Sequence, residues 1–284
     1  MYTRPNAPRS IGGVLDDGLR LWLQAFSRTW PVALMSQVLL LLPLVIYWLQ
    51  SGSIAAVAQS QVYLIMMKSA GFSLAYLLVS LASIGFQNAI VAQTDATAWG
   101  RAMATGEGLS VGFRLLGRTL LFGILVAIGI VVPVALMFFA FAGVSTLGRI
   151  AFGIGVFLII CFVLGKIVLG ATILVIEDKG AVESLRRSWT LTTGHWWRVA
   201  AILSVLIIVI AVVLLVVGVL AGVVAAIVGP HSTTSALLVQ LLSLFGNTLF
   251  GPLFSAVTVA IFYDLKLRRE GADLAGRVSA LAPQ

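Results

Sequence analysis

Charge is scarce in this sequence. Only 10% of its 284 residues are charged, whereas 60% are hydrophobic. A soluble domain usually carries about 25% charged residues, so the composition excludes an ordinary water-soluble fold. The sequence predicts a membrane protein, in which the few polar and charged residues carry most of the information about function.

Cysteine and histidine are also rare. Cys161 is the only cysteine, so no disulfide can form within the chain and no cysteine-based metal site exists. His195 and His231 are the only histidines and do not cluster with each other in the sequence. The apolar stretches contain no acidic residue, which disfavours a proton-driven carrier. We therefore expect no metal, no cofactor and no catalytic centre.

Six apolar stretches are long enough to cross a bilayer, because a hydrocarbon core of about 30 Å requires roughly 20 helical residues. Lipid-embedded backbone must satisfy its own hydrogen bonds, which favours helices. The sequence predicts an all-α integral membrane bundle with a cytoplasmic amphipathic segment (1–29), a membrane domain (30–263) and a cytoplasmic tail (264–284). The six stretches cover residues 30–50, 71–93, 119–142, 150–176, 199–228 and 236–262.

The charges are divided unevenly between the two sides of these spans. All ten acids and fifteen of the eighteen Lys and Arg residues fall in the two tails and the loops 94–118 and 177–198. The remaining loops carry only Lys68 and Arg149. Since Lys and Arg mark the cytoplasmic side, we expect a bacterial inner-membrane protein with both termini in the cytoplasm. The cations adjoin apolar spans, so their expected partners are membrane lipids and not nucleic acid.

Two charged segments have the pattern of amphipathic helices that lie at a membrane surface. Ser10 can cap a first helix, in which Val14 and Trp22 share an apolar face. A second helix is predicted in the loop after the fourth span, where Val182, Leu185 and Trp189 form an apolar stripe, and Gly194 is suited to end it.

Residues 176–198, IEDKGAVESLRRSWTLTTGHWWR, resemble the segment E-x-x-G-x-x-x-A-L-x-R-S-W-x-L-T-x-G-x-x-W-R of a bacterial inner-membrane family. That family includes the membrane domain attached to some glycerophosphoryl diester phosphodiesterases, together with stand-alone relatives of unknown function. The matching positions are Glu177, Gly180, Leu185, Arg187, Ser188, Trp189, Leu191, Thr192, Gly194, Trp197 and Arg198.

Two further segments agree with this resemblance. Residues 262–274, FYDLKLRREGADL, are similar to the closing Y-x-D-x-R-x-R-x-E-G-x-D-L of the family, and Arg9-Ser10-Ile11-Gly12 resembles its start. The resemblance implies a multi-span helical bundle. It does not imply phosphodiesterase activity, because in the fused proteins a separate soluble domain carries that chemistry.

Lys166 is the one charged residue inside a predicted span. An ionisable group at that depth usually faces a bundle interior or a cavity. Gln87 and Asn88 on the second span are candidates to form a polar intramembrane site with it, and a lipid phosphate is another candidate counter-charge. The simpler interpretation is a lysine bonded to helix carbonyls or extended towards the surface.

A cluster of arginine and tryptophan in the 177–198 loop is a candidate surface for docking a lipid headgroup or a partner protein. The simpler interpretation is an anchor that fixes the depth of the fifth span. The candidate docking residues are Arg186, Arg187, Trp189, Trp196, Trp197 and Arg198.

The sequence thus predicts a multi-pass membrane protein without catalytic activity, serving as a scaffold or accessory in envelope or lipid homeostasis. The alternative is a permease or lipid-handling channel that uses the polar site around Lys166. Expected partners are membrane lipids, anionic phospholipid in particular, and a membrane protein.

Overall fold

A computed structural model describes residues 2, 4–51, 70–140, 145–229 and 233–281 of the chain. Over these ranges the secondary structure is helical, and no β-strand occurs in them. The helices are α1 (Ile11–Ser51), α2 (Ala70–Ala98), α3 (Thr105–Arg114), α4 (Leu116–Ala140), α5 (Thr146–Ile167), α6 (Gly170–Ile176), α7 (Ala181–Thr192), α8 (Trp196–Val228) and α9 (Thr233–Leu281).

Six segments of these helices are long and apolar enough to cross a membrane. They overlap the six predicted stretches, so the predicted all-α, six-span fold is confirmed. Lys68 and the side chain of Arg149 lie outside the described residues. The six segments are Ile11–Pro43, Ala70–Ala98, Leu116–Met137, Phe152–Ile176, Trp196–Val228 and Leu237–Gly271.

The helix boundaries follow local sequence signals. Helix α1 begins at Ile11, and the Gly13 backbone N–H donates to Ser10 Oγ at 3.1 Å, which confirms the predicted cap. It continues without a break into the first span. Helix α7 ends at Thr192, two residues before Gly194, whose φ of 82° suits glycine. Helix α9 likewise runs unbroken from the last span into the C-terminal charged segment.

The core lies where α1 packs between α2 and α9. Leu21 of α1 and Val257, Ile261 and Phe262 of α9 are fully or almost fully buried. A Cβ on Gly18 would lie 2.8 Å from Val257 Cγ2 and 3.1 Å from its Cα. Glycine therefore permits α1 and α9 to approach closely, as small residues do between membrane helices.

Helices α4 and α8 contribute little to this core. In the most apolar stretch of α4, no residue is buried. In the most apolar stretch of α8, only 11% of the residues are buried. Their exposed leucine, isoleucine and valine side chains match a surface that contacts lipid acyl chains. The bundle is thus well packed around α1, α2 and α9 and more open around α4, α5 and α8.

Candidate functional site

Asp264 on α9 is the centre of a cluster of ion pairs at one end of the bundle. Its side chain is 3% exposed and lies 2.9 Å from Arg198 Nε and 3.0 Å from Arg268 Nε. The Arg9 backbone N–H donates to the same carboxylate at 2.8 Å. Both guanidinium groups also donate to the Arg9 carbonyl, that of Arg268 at 2.6 Å. The cluster fixes the N-terminal segment against α8 and α9.

Glu177, directly after α6, is the centre of a second cluster. Its carboxylate lies 3.0 Å from Lys266 Nζ and 3.4 Å from Arg187 Nε, and Arg187 also pairs with Glu270. Burial raises the pKa of Glu177, but the hydrogen bond and charge of Lys266 and the charge of Arg187 outweigh burial, so the pKa is lowered. Glu177 is therefore ionised at neutral pH and is a poor proton donor. We call the surface that carries these two clusters the charged face.

The acids around Arg187 raise its pKa. Burial lowers it, but the hydrogen bond to Glu270 and the charge of Glu177 outweigh burial and raise it overall. Arg187 and Arg198 are thus held by internal acids, and their docking role stays a prediction. Glu177 lies in the same loop as the two arginines, but Glu270 and Asp264 lie on α9, so the sequence pattern around the arginines did not reveal them. Arg186 is exposed and forms no ion pair with any described residue.

The three tryptophans predicted to dock a ligand have different environments. Trp196 is half-buried and donates its indole N–H to the Phe162 carbonyl of α5 at 3.2 Å, which joins α8 to α5. Trp197 is 77% exposed and Trp189 is 44% exposed. Trp196 therefore has an anchoring contact, whereas Trp197 and Trp189, the latter three residues after Arg186 on α7, are exposed.

The fourth span is interrupted between α5 and α6, at residues 168 and 169. The Lys166 carbonyl at this break accepts hydrogen bonds from Ser188 Oγ at 2.7 Å and Thr192 Oγ1 at 3.3 Å, both on α7. Val168 and Leu169 keep φ and ψ in the right-handed helical region, so the chain passes from α5 to α6 through a short turn. Ser188 and Thr192 of the motif thus satisfy a carbonyl at this turn, a role that spacing alone did not reveal.

The Lys166 ammonium group is buried beside a hydroxyl and two aromatic rings. Lys166 Nζ donates to Thr193 Oγ1 at 3.2 Å and lies 5.6 Å and 5.5 Å from the ring centroids of Phe162 and Trp189. Arg269 donates to the Thr193 carbonyl, so two cations meet at one residue. No described acid forms an ion pair with either cation. We call this group the Lys166 site; its positive charge suits it to hold an anion.

The predicted partners of Lys166 on the second span lie elsewhere. Asn88 is buried and donates to the Gly112 carbonyl at 3.3 Å and to Thr119 Oγ1 at 2.9 Å, which joins α2 to α3 and α4. Gln87 is exposed, and its amide faces α9. The structure therefore does not bring Gln87 and Asn88 to Lys166. The rotation of α2 about its axis directs both amides away from α5.

An aromatic cluster near the N-terminus has no counterpart in the sequence-based predictions. The Arg4 guanidinium lies 4.0 Å from the Trp99 ring centroid and 4.3 Å from that of Tyr263. The Tyr263 hydroxyl accepts from the Trp99 indole N–H at 2.8 Å and donates to Asp95. Nearby, burial and the charge of Asp17 raise the pKa of Tyr2 to about 12. The only available signal was the tyrosine in the closing motif.

Among the comparisons with known proteins, one gives a match, to a family model. No curated protein and no solved structure matches the chain. A family model described as a domain of unknown function, DUF7847, matches residues 22–265. The match extends from α1 to Leu265 on α9. It covers four of the six apolar segments in full and most of the first and the sixth, and it includes Lys166, Thr193 and Asp264 but not Arg269. Because it covers well over half of the sequence, the chain belongs to this family.

Proposed function

We propose that the chain is a non-enzymatic membrane accessory protein that binds the phosphate of an anionic phospholipid at the Lys166 site. The observation that carries this proposal is the meeting of Lys166 and Arg269 at Thr193 without an acid among the described residues to neutralise them. Two cations close together repel each other, and burial of a charge without a partner is costly. A lipid phosphate removes both costs.

The surroundings of the Lys166 site favour a lipid over a soluble anion. Trp189, whose ring centroid lies 5.5 Å from Lys166 Nζ, is exposed, as is Trp197 at the start of α8, and indole rings prefer the headgroup level of a bilayer. Arg186 adds an exposed cation on the same helix as Trp189. A headgroup held here would have its acyl chains beside the apolar surfaces of α5 and α8. The assigned role is a scaffold or accessory in envelope or lipid homeostasis.

The proposal also includes the membrane in which the chain lies and the side on which its termini lie. The charged face contains the ion-pair clusters of Glu177 and Asp264 together with the N-terminal segment. Its cations support a location of both termini in the cytoplasm of a bacterial cell, with the six spans in the inner membrane. The cytoplasmic leaflet carries anionic lipids, which agrees with a phosphate ligand at this level.

A relationship to the membrane domain of glycerophosphoryl diester phosphodiesterases is also proposed. Its support is the contact between the segments that carry the resemblance. Arg187 and Arg198 of the first motif pair with Glu270 and Asp264 of the second, and Arg9 of the N-terminal motif bonds to Asp264. The three motifs form one packed unit, which is a reason for them to occur together in one chain.

The alternative function, a permease or lipid-handling channel that uses the polar site around Lys166, has less support. It required Gln87 and Asn88 to extend a polar path from Lys166, but Asn88 bonds to Gly112 and Thr119 instead. The carboxylates of the charged face are paired with cations, which also argues against acid–base catalysis there. Metal-free turnover of a phosphodiester that disappears in Glu177→Gln would contradict the non-enzymatic assignment.

The test compares lipid retention by three forms of the purified chain in mild detergent. Lys166→Met removes the buried cation with little change in volume, and Arg101→Met removes an exposed cation that is not part of the site. Anionic phospholipid is quantified by mass spectrometry after matched washing. We expect Lys166→Met to retain about tenfold less, since a charge-assisted hydrogen bond is worth about 1.5–3 kcal/mol. Arg101→Met should match the wild type, and equal retention by all three would contradict the proposal.

A further inference from the structure

A second polar site lies within the membrane-spanning region, away from the Lys166 site. An open cavity of about 230 Å³ lies between α1, α2 and α9, and its lining residues Gln240, Ser243 and Asn247 are exposed. Its polar lining consists of three carboxamides, a phenol and a hydroxyl, and its apolar lining consists of leucine side chains. The lining residues are Gln37, Leu40, Leu41, Tyr76, Gln240, Ser243, Leu244 and Asn247.

The polar groups of this cavity lie deep in the membrane. Asn247 is about 15 Å along α9 from Leu237, where the apolar segment begins, at a rise of 1.5 Å per residue. Gln240, Ser243 and Asn247 follow at intervals of three and four residues, so they share one face of the helix. Gln37 meets this face from α1. Polar side chains at such depth are costly and generally serve a function.

The hydrogen-bonding groups of the cavity are largely unused within the protein. Asn247 Nδ2 donates to the Ser243 carbonyl at 2.8 Å, which leaves the Asn247 amide oxygen available. The side chains of Gln37, Tyr76 and Gln240 make no hydrogen bond to any described residue, although Tyr76 stacks on a neighbouring ring. A polar group without a partner in an apolar medium costs free energy. A ligand that donates and accepts hydrogen bonds would satisfy these groups.

The residues that line the cavity also indicate that the ligand is uncharged. None of the residues around the cavity is charged, so an ion at this depth would lack a counter-charge and remain unstable. Carboxamides and hydroxyls both donate and accept, which matches a neutral hydroxyl-bearing compound. The cavity has room for roughly seven waters at about 30 Å³ each. It is smaller than a drug-sized pocket of about 300–1,000 Å³.

We infer that this cavity binds the uncharged polyol moiety of a small compound, either free glycerol or the glycerol hydroxyl of a neutral lipid such as diacylglycerol. The three carboxamides bind the hydroxyl groups, and the leucines contact the carbon atoms. The site is independent of the proposed lipid phosphate site, because the two share only α9, where Asn247 and Arg269 are more than twenty residues apart, and because the cavity carries no charge.

Two measurements on the full chain distinguish the two sources of the polyol. The first is retention of diacylglycerol by protein purified from nanodiscs that contain phosphatidylcholine and diacylglycerol, measured by native mass spectrometry. The second is the rate of glycerol entry into phosphatidylcholine proteoliposomes, measured by light scattering. Both compare the wild type with Gln37→Leu and Asn247→Leu. These variants replace amides by apolar groups of similar size, so folding in lipid is favoured. Gln87→Leu is the matched control, because it removes an exposed amide of α2 that does not line the cavity.

We expect a decrease of about tenfold in one of the two signals for both cavity variants, from the loss of hydrogen bonds to the ligand. Loss of retained diacylglycerol identifies a lipid ligand, and slower glycerol entry identifies a free polyol. The inference is overturned if neither signal exceeds that of protein-free controls, since the cavity then holds only water. It is also overturned if Gln87→Leu reduces the signal as much as the cavity variants do.

Discussion

Arg198 and Asp264 lie 66 residues apart in the sequence, yet the Arg198 Nε and the Asp264 carboxylate are 2.9 Å apart. The carboxylate side chain is 3% exposed and the guanidinium side chain is 16% exposed. A pair with so little contact with water depends on both partners, because removal of one leaves the other charge uncompensated. The charged face is therefore a structural unit as well as a surface.

Neutralising Asp264 should destabilise the protein strongly. Asp264→Asn leaves Arg198 and Arg268 without their carboxylate, and we expect the free energy of unfolding to fall by about 3 kcal/mol. Asp16→Asn is the control, because the pair of Asp16 with Arg20 is more than half exposed and should contribute little to stability. Thermal unfolding in detergent, followed by tryptophan fluorescence, measures both. Equal losses in the two variants would contradict the structural role of Asp264.

Glu177 should give the protein a specific dependence on pH. Its pKa in the folded protein is lower than its ordinary value of 4.5, so ionisation stabilises the folded state. That stabilisation is complete above about pH 4.5 and is lost as the pH falls through the lower folded pKa. We expect Glu177→Gln to unfold at a lower temperature than wild type at pH 7, and the difference to shrink below about pH 4.5.

The control for this pH series is Glu183→Gln. The Glu183 side chain is 59% exposed and pairs with Lys179 one helical turn away, so its loss should change the unfolding temperature little at any pH. Unfolding temperatures of the three forms are measured from pH 7 to about pH 3. A difference between Glu177→Gln and wild type that stays constant over this range would contradict the assignment.

Two glycines of α3 should respond in opposite directions to alanine. A Cβ on Gly112 would collide with the Gly85 carbonyl and lie 2.8 Å from the Ala89 backbone nitrogen. Backbone atoms of α2 cannot yield easily, so Gly112→Ala should lower stability by about 1–3 kcal/mol. Gly106 has no atom within 4 Å of the same position, and Gly106→Ala should raise stability by about 0.5–1 kcal/mol. Thermal unfolding of both variants tests the packing of α3 on α2, and similar effects would refute it.

The proposed topology predicts which residues can be labelled from outside the cell. In a Cys161→Ser background, single cysteines at Ser53 and Ser232 should react with an impermeant thiol reagent in intact cells. A cysteine at Thr105, the first residue of α3, should react only after the membrane is opened. The Lys and Arg residues of the loop around α3 are the reason for this expectation. Labelling of Thr105→Cys in intact cells would reverse the orientation.

Local signals in the sequence predicted the helices well. Apolar length located the six spans, Ser10 located the start of α1, and Gly194 located the end of α7. Each of these signals depends on residues within a few positions of one another. The interruption of the fourth span was not predicted, because the Lys166 carbonyl is satisfied by hydroxyls more than twenty residues further along the chain.

The functional residues were harder to predict because their partners are distant in sequence. Lys166 stood out as a charge inside a span, but its contact with Thr193 depends on how α7 folds back over α5. Arg187 and Arg198 had the composition of a docking surface, while two of the acids that bind them, Glu270 and Asp264, lie on α9. The face of α9 with Gln240, Ser243 and Asn247 has a helical spacing that could have indicated the polar cavity. Its position opposite Gln37 required the packed structure.

The bond between Arg9 and Asp264, which joins residues 255 positions apart, has a consequence for the order of events during synthesis. The Arg9 backbone N–H is made early and the Arg198 guanidinium much later, but neither can reach Asp264 until that residue leaves the ribosome. The six spans therefore enter the membrane before the charges that hold their ends together are neutralised. Assembly of the bundle is completed only after the last span has been made. A ribosome stalled before that point would hold a chain in which Arg198 lacks its carboxylate partner.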